Sequence, residues 1–133
     1  MSDKPTRILV VDDEQHQLET VCRGLFLFGF ICRGVQSVAS ALKSLCGKED
    51  DDEEYDLVLT DLTMPGGSGL KLIDEVKQKY PDLPIIVITG LAATEETELV
   101  RERGIPILQK PFEPDTLHST IRQVLGLADD PAG

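Results

Sequence analysis

The chain has 133 residues, with 13 basic against 24 acidic side chains and a formal net charge of -11 at pH 7. That length suits one domain around one core, and the charge repels phosphates, which excludes direct nucleic-acid or membrane-surface binding as the expected role. Cys22, Cys32 and Cys46 form no CxxC pair and leave one thiol over in any pairing, so small core residues in a reducing compartment are expected.

Short β-branched runs alternate strictly with amphipathic stretches, the rhythm of βαβ units. The first strand is Ile8 to Val11. Leu18, Val21, Cys22, Leu25 and Phe28 then recur at helical spacing, and Gly29 ends that helix. A weaker strand covers Ile31 to Val35. Ser37 is a candidate N-cap for a helix presenting Val38, Ala41, Leu42 and Leu45, which Gly47 stops. The six consecutive acidic residues from Glu49 to Glu54 repel one another and predict a solvated loop.

The third strand, Leu57 to Thr60, runs into Asp61. Met64 to Gly69 is a turn before a helix carrying Leu70, Ile73, Val76 and Tyr80. Ile85 to Ile88 is apolar without alternation, as a central parallel strand covered on both faces should be, and ends at Thr89-Gly90. A charged stretch from Thr94 to Arg103, with only Leu99 and Val100 apolar, predicts a loosely packed, mobile helix. Pro106 to Gln109 is the fifth strand, followed by Lys110-Pro111-Phe112 and a helix presenting Leu117, Ile121, Val124 and Leu125. The expected fold is α/β, a doubly wound five-stranded parallel sheet with five helices and right-handed crossovers. Residues 1–6 read as a leader, 7–127 as the domain and 128–133 as a tail frayed from Asp129. Met1 to Arg7 lacks the apolar core of a signal peptide and no apolar run reaches membrane-spanning length, so a cytoplasmic protein is expected.

In open parallel sheets, ligands bind beyond the carboxyl ends of the strands, where strand order reverses. Those ends carry Asp12-Asp13, Asp61, Thr89 and Lys110. Carboxylates brought together need a cation, and an oxygen-only donor set suits Mg²⁺, or alternatively Mn²⁺, better than zinc. Mg²⁺ held by one or two carboxylates commonly completes its shell with water and phosphate oxygens, which implies a phosphorylated ligand or group. Asp61 can then act as a nucleophile toward phosphorus, with Lys110 as the neutralising point charge.

These residues resemble the receiver domain of two-component response regulators, CheY-like, over about Arg7 to Leu127. The signatures are Val-Asp-Asp at 11 to 13, Asp61-x-x-Met64-Pro65-x-x-x-Gly69, Thr89-Gly90 and Lys110-Pro111-Phe112. The resemblance implies a flavodoxin-like three-layer sandwich with strand order 2-1-3-4-5. It implies phosphoryl transfer to Asp61 from a sensor histidine kinase or a phosphotransfer protein, with an output protein or domain as second partner and room for a weak homodimer. Asp13 and Asp61 would bind Mg²⁺ directly, Asp12 through water, and Thr63 through its carbonyl. Thr89 would swing to the phosphoryl group, and a cis Lys110-Pro111 peptide would aim the lysine inward. Such a module is not an enzyme beyond its own phosphotransfer and slow autodephosphorylation.

The bland readings are a helix-capping Asp12-Asp13 pair, a solvating acidic run, exposed His16 and His118, and Phe26, Phe28, Phe30 and Tyr80 as core or helix-flank packing. The chain departs from the family at Ile107, where an aromatic ring usually accompanies the threonine swing. Neither Thr63 nor Leu91, the two positions that tune dephosphorylation, carries a carboxylate or amide to orient water, which predicts a slowly decaying phosphoryl group. The segment looks closer to receivers of enhancer-binding regulators or hybrid kinases than to winged-helix regulators, and reads as free-standing or as a piece of a longer protein. Two other functions compete: a pseudo-receiver scaffold, opposed by intact Asp61 and Lys110, and a flavodoxin-like cofactor binder, opposed by the repulsion of Asp12-Asp13-Glu14 for phosphate.

Overall fold

The computed structural model describes residues 5–46, 55–62, 68–90, 95–110 and 112–126. The strands are β1 (Arg7–Val11), β2 (Ile31–Val35), β3 (Leu57–Asp61), β4 (Ile85–Thr89) and β5 (Ile107–Gln109). Between and after them run the helices α1 (Gln15–Leu27), α2 (Val38–Cys46), α3 (Ser68–Lys79), α4 (Glu95–Glu102) and α5 (Pro114–Leu125). All pairings are parallel, in the order β2-β1-β3-β4-β5, as the resemblance implied.

Side-chain alternation along the strands divides the core into two layers. Leu9, Val11, Val58 and Val87 point to one face and pack with Ala41 of α2, Leu72, Ile73 and Val76 of α3, and Val100 of α4. Ile8, Val10, Leu57, Leu59, Ile86 and Ile88 point to the other, against Leu18 and Leu25 of α1 and Leu117 and Ile121 of α5. β3 and β4 are buried along their whole length, whereas edge strand β2 buries none of its residues fully. Unbroken apolar runs in the centre and a mixed run at the edge follow from that placement.

Local signals set the element ends. The Ser37 hydroxyl accepts the Ser40 backbone N–H at 3.0 Å, capping α2 as expected. Gly29 closes α1 with φ 90° and Gly126 closes α5 with φ 68°, values that L side chains resist. Gly69 is required for a different reason. A β-carbon there would lie 2.4 Å from the Leu62 carbonyl oxygen and 2.8 Å from Leu62 Cα, so only glycine lets α3 start against the residue that follows Asp61.

Several sequence expectations need correction. Phe26 is 74 % exposed and is not packing, because it follows buried Leu25 and the helical turn carries it away from the sheet. His118 is half-buried rather than exposed: its ring stacks on Phe28 at 4.1 Å between centroids and meets Phe30 edge-on at 5.7 Å. Leu99 is 39 % exposed, and α4 instead buries Thr97 beside Val100. Arg103 fastens the end of that helix by donating to Asp74 of α3 at 2.9 and 3.3 Å and to the Leu99 carbonyl at 2.8 Å. Cys22 and Cys32 pack partly buried against the core as expected, but not as free thiols, and the reducing compartment expected from unpaired cysteines loses that support. α1 packs on β2 with Cys22 and Cys32 at a Cα separation of 5.5 Å, and a disulfide joins them, while Cys46 is exposed. The acidic run, Gly47, the Lys110-Pro111 peptide and the tail lie outside the described residues.

Two outcomes follow. Gly69→Ala should destabilise the domain by about 2 kcal/mol in urea unfolding, since neither Leu62 contact is a flexible side-chain tip that could yield; an unchanged midpoint would refute the close approach. Reducing the Cys22–Cys32 link, which spans 10 residues, should remove about 2–3 kcal/mol by freeing the unfolded chain. Melts of the Cys46→Ser protein with and without reductant measure it, and identical curves would contradict the cross-link.

Candidate functional site

Strand order reverses between β1 and β3, because the chain leaves β1 for β2 on one side and returns past it to β3 on the other. Val11 pairs with Thr60, so the next residues along both strands, Asp12 and Asp61, emerge together from neighbouring carboxyl ends. The Asp12 N–H donates to the Val35 carbonyl at 3.1 Å, prolonging the β1–β2 ladder by one residue and fixing the backbone at the site. Asp61 is braced on the other side: it pairs with Ile88, and the following Leu62 N–H donates to the Ile88 carbonyl at 3.2 Å.

The carboxylates of Asp12, Asp13 and Asp61 each place an oxygen within 4.8 Å of the others. Asp12 and Asp61 are buried and Asp13 is exposed, so the cluster opens to solvent through Asp13. Asp12 does both things weighed for it. Its Oδ1 accepts the Glu14 N–H at 2.9 Å, supporting the entry to α1 as a capping carboxylate would, while its Oδ2 faces the Lys110 ammonium at 3.6 Å. The same ammonium lies 3.5 Å from Asp61 Oδ2. Lys110 reaches this point because its N–H donates to the Thr89 carbonyl at 2.8 Å, keeping the end of β5 against that of β4. Thr89 itself is fully buried at the end of β4. Thr63 falls outside the described residues.

Among the described residues, one ammonium faces three carboxylates, which leaves the cluster negative and favours a further cation. The donors are all hard oxygens, and the described residues bring no His or Cys into the group, which suits Mg²⁺ or Mn²⁺ better than zinc. A buried carboxylate beside an ammonium and a cation site can take an electrophile of high negative charge, and a phosphoryl group is that electrophile.

One residue at the site escaped the sequence reading. Gln17, in the first turns of α1, accepts a hydrogen bond from Lys110 Nζ and donates through Nε2 to Glu14 at 3.2 Å. Its signal was available: it stands four residues after Asp13, one helical turn along a helix that begins at the site.

Comparison with known proteins agrees with this geometry. Residues 8–122 match the family model of the response regulator receiver domain. The transcriptional regulatory protein GlrR of Escherichia coli is 29% identical over 126 residues, covering 94% of this chain and 27% of its own length. The hydrogenase transcriptional regulatory protein HoxA of Cupriavidus necator is 34% identical over 127 residues, covering 94% and 25%. The chain thus spans about a quarter of the length of these curated relatives. Among solved structures, Brucella abortus NtrX with ADP superimposes with a TM-score of 0.81 at 31% identity, covering 92% of this chain and 27% of that one. A CheY-like receiver domain from Methanospirillum hungatei shares the fold at a TM-score of 0.82 and 24% identity, covering 92% and 95%. With a family match that runs from β1 into α5, this chain belongs to the response regulator receiver domains of two-component systems.

Proposed function

We propose that this receiver domain accepts one phosphoryl group on Asp61 from a phosphohistidine of a sensor histidine kinase or phosphotransfer protein, and that the phosphorylated form controls an output partner. The observation that carries this reading is the Lys110 ammonium 3.5 Å from Asp61 and 3.6 Å from Asp12, at the sheet edge where three carboxylates crowd. An Asp61 carboxylate oxygen attacks phosphorus, the P–N bond to the donor breaks, and the imidazole, protonated on its other nitrogen, leaves neutral. Lys110 neutralises the arriving phosphoryl oxygens.

Receiver domains bind Mg²⁺ at an acidic pocket. Here Asp12, Asp13 and Asp61 would hold it, with the Thr63 carbonyl as the further ligand that the resemblance implies, and bound there it would offset the charge that builds on the phosphoryl oxygens. Thr89 closes on the phosphoryl group and reports its arrival. With Ile107 half-buried in β5 where the family carries an aromatic ring, the signal leaves through the loop after β4 and through α4. The GlrR and HoxA names support a transcriptional output, reached through a protein contact and not through this acidic surface. The domain works as a signalling module, without turnover of other substrates.

Incubation with phosphoramidate and Mg²⁺ should add one phosphoryl group by intact mass, and Asp61→Asn should abolish it. No adduct on the unaltered chain would favour a scaffold that binds partners without phosphorylation. The acyl phosphate should persist for minutes or longer, because neither Thr63 nor Leu91 carries a carboxylate or amide to orient an attacking water. Decay within seconds would show that another group performs that task.

A further inference from the structure

We infer that Gln17 is a positioning residue for Lys110: a neutral tether that holds the ammonium at salt-bridge distance from Asp61 instead of directly upon it. The inference rests on the phosphoacceptor reading of Asp61. The acceptor carboxylate faces a conflict, since a lysine bonded tightly to it would neutralise the nucleophile and compete with a cation for the same oxygens, whereas a distant lysine could not meet the phosphoryl group.

The geometry resolves that conflict through Gln17. Both carboxylates stand at 3.5 and 3.6 Å from the ammonium, beyond ordinary hydrogen-bond length, while the Gln17 carbonyl oxygen is bonded to it. The orientation of the amide is determined at both ends. Its Nε2 donates to Glu14 Oε2 at 3.2 Å, and an ammonium has no lone pair to accept with, so Oε1 must face Lys110. Glu14 in turn follows the acid pair directly, so the relay from Glu14 through Gln17 to Lys110 begins and ends at the cluster.

Packing does not hold the lysine there unaided. Its stem borders a largely apolar groove of about 330 Å³ between α1 and α5, whose walls include Gln17, Gly24, Phe28, Phe112 and Leu117. Open space beside a four-carbon stem leaves its rotamers free, and a hydrogen bond at the tip is what selects one. A neutral acceptor serves better than a carboxylate, because it fixes the ammonium without adding charge to an already negative site.

The test reads the lysine and the cation site, not phosphorylation. In the full chain, Gln17→Met keeps the length of the side chain and removes the acceptor. Without its tether the ammonium settles on Asp61 and Asp12 and competes with added Mg²⁺. Mg²⁺ affinity by calorimetry should fall about threefold to tenfold, the scale of one ordinary hydrogen bond. The same substitution in a Lys110→Met background should leave Mg²⁺ affinity unchanged. The Lys110 ammonium signal in metal-free NMR spectra should move in Gln17→Met. Equal effects of Gln17→Met with and without Lys110 would show a packing role and overturn the inference, as would no effect in either. Failure of Asp61 to take phosphate would leave these readouts intact, so the two readings fall separately.

Discussion

Mutual repulsion of Asp12, Asp13 and Asp61 is the constraint on which the site depends. Parallel β-topology brings the ends of β1 and β3 together whatever residues stand there, and this chain puts carboxylates on both. Burying two of the three raises the electrostatic cost, because water no longer screens them fully. Lys110, delivered by the β4–β5 pairing, offsets part of that cost and leaves a net demand for positive charge. A fold built only for stability would not concentrate charge in this way, which makes the cluster evidence for chemistry.

The rest of the molecule is organised around keeping those ends still. Two apolar layers clamp β1, β3 and β4 from both faces, so the buried strands act as rigid arms and the variable parts lie at their tips. Gly69 admits α3 close to Leu62, directly after the acceptor aspartate. The Cys22–Cys32 link and the stacking of His118 on Phe28 both support α1, the helix that also carries Gln17. Support of one helix thereby becomes support of the lysine across the pocket.

Much of this was readable from residue order. The central strands announced themselves because burial on both faces demands unbroken apolar runs, and the site followed from asking which residues stand at strand ends. What escaped depends on contacts between distant segments. Phe26 was assigned to packing by residue type, although its position next to Leu25 turns it outward. Thr97 was passed over because a hydroxyl does not look like core, yet α4 turns it inward with Val100. The pairing of Cys22 with Cys32 needed the docking of α1 on β2, which spacing alone does not reveal. Gln17 was missed because a glutamine carries no chemistry until a partner such as Lys110 is placed beside it.

The central claim is that three crowded carboxylates create a demand for a cation that Lys110 alone does not meet. Thermal melts of the unaltered chain and of Asp13→Asn, with and without millimolar Mg²⁺, test it most directly, since a ligand that binds the folded state raises the midpoint. Asp13 is exposed, so its replacement leaves the core alone. The expected result is a rise with Mg²⁺ for the unaltered chain, a higher starting midpoint for Asp13→Asn without metal, and little further rise when Mg²⁺ is added. A metal-free midpoint that falls in Asp13→Asn, or a Mg²⁺ response that survives it, would contradict the claim.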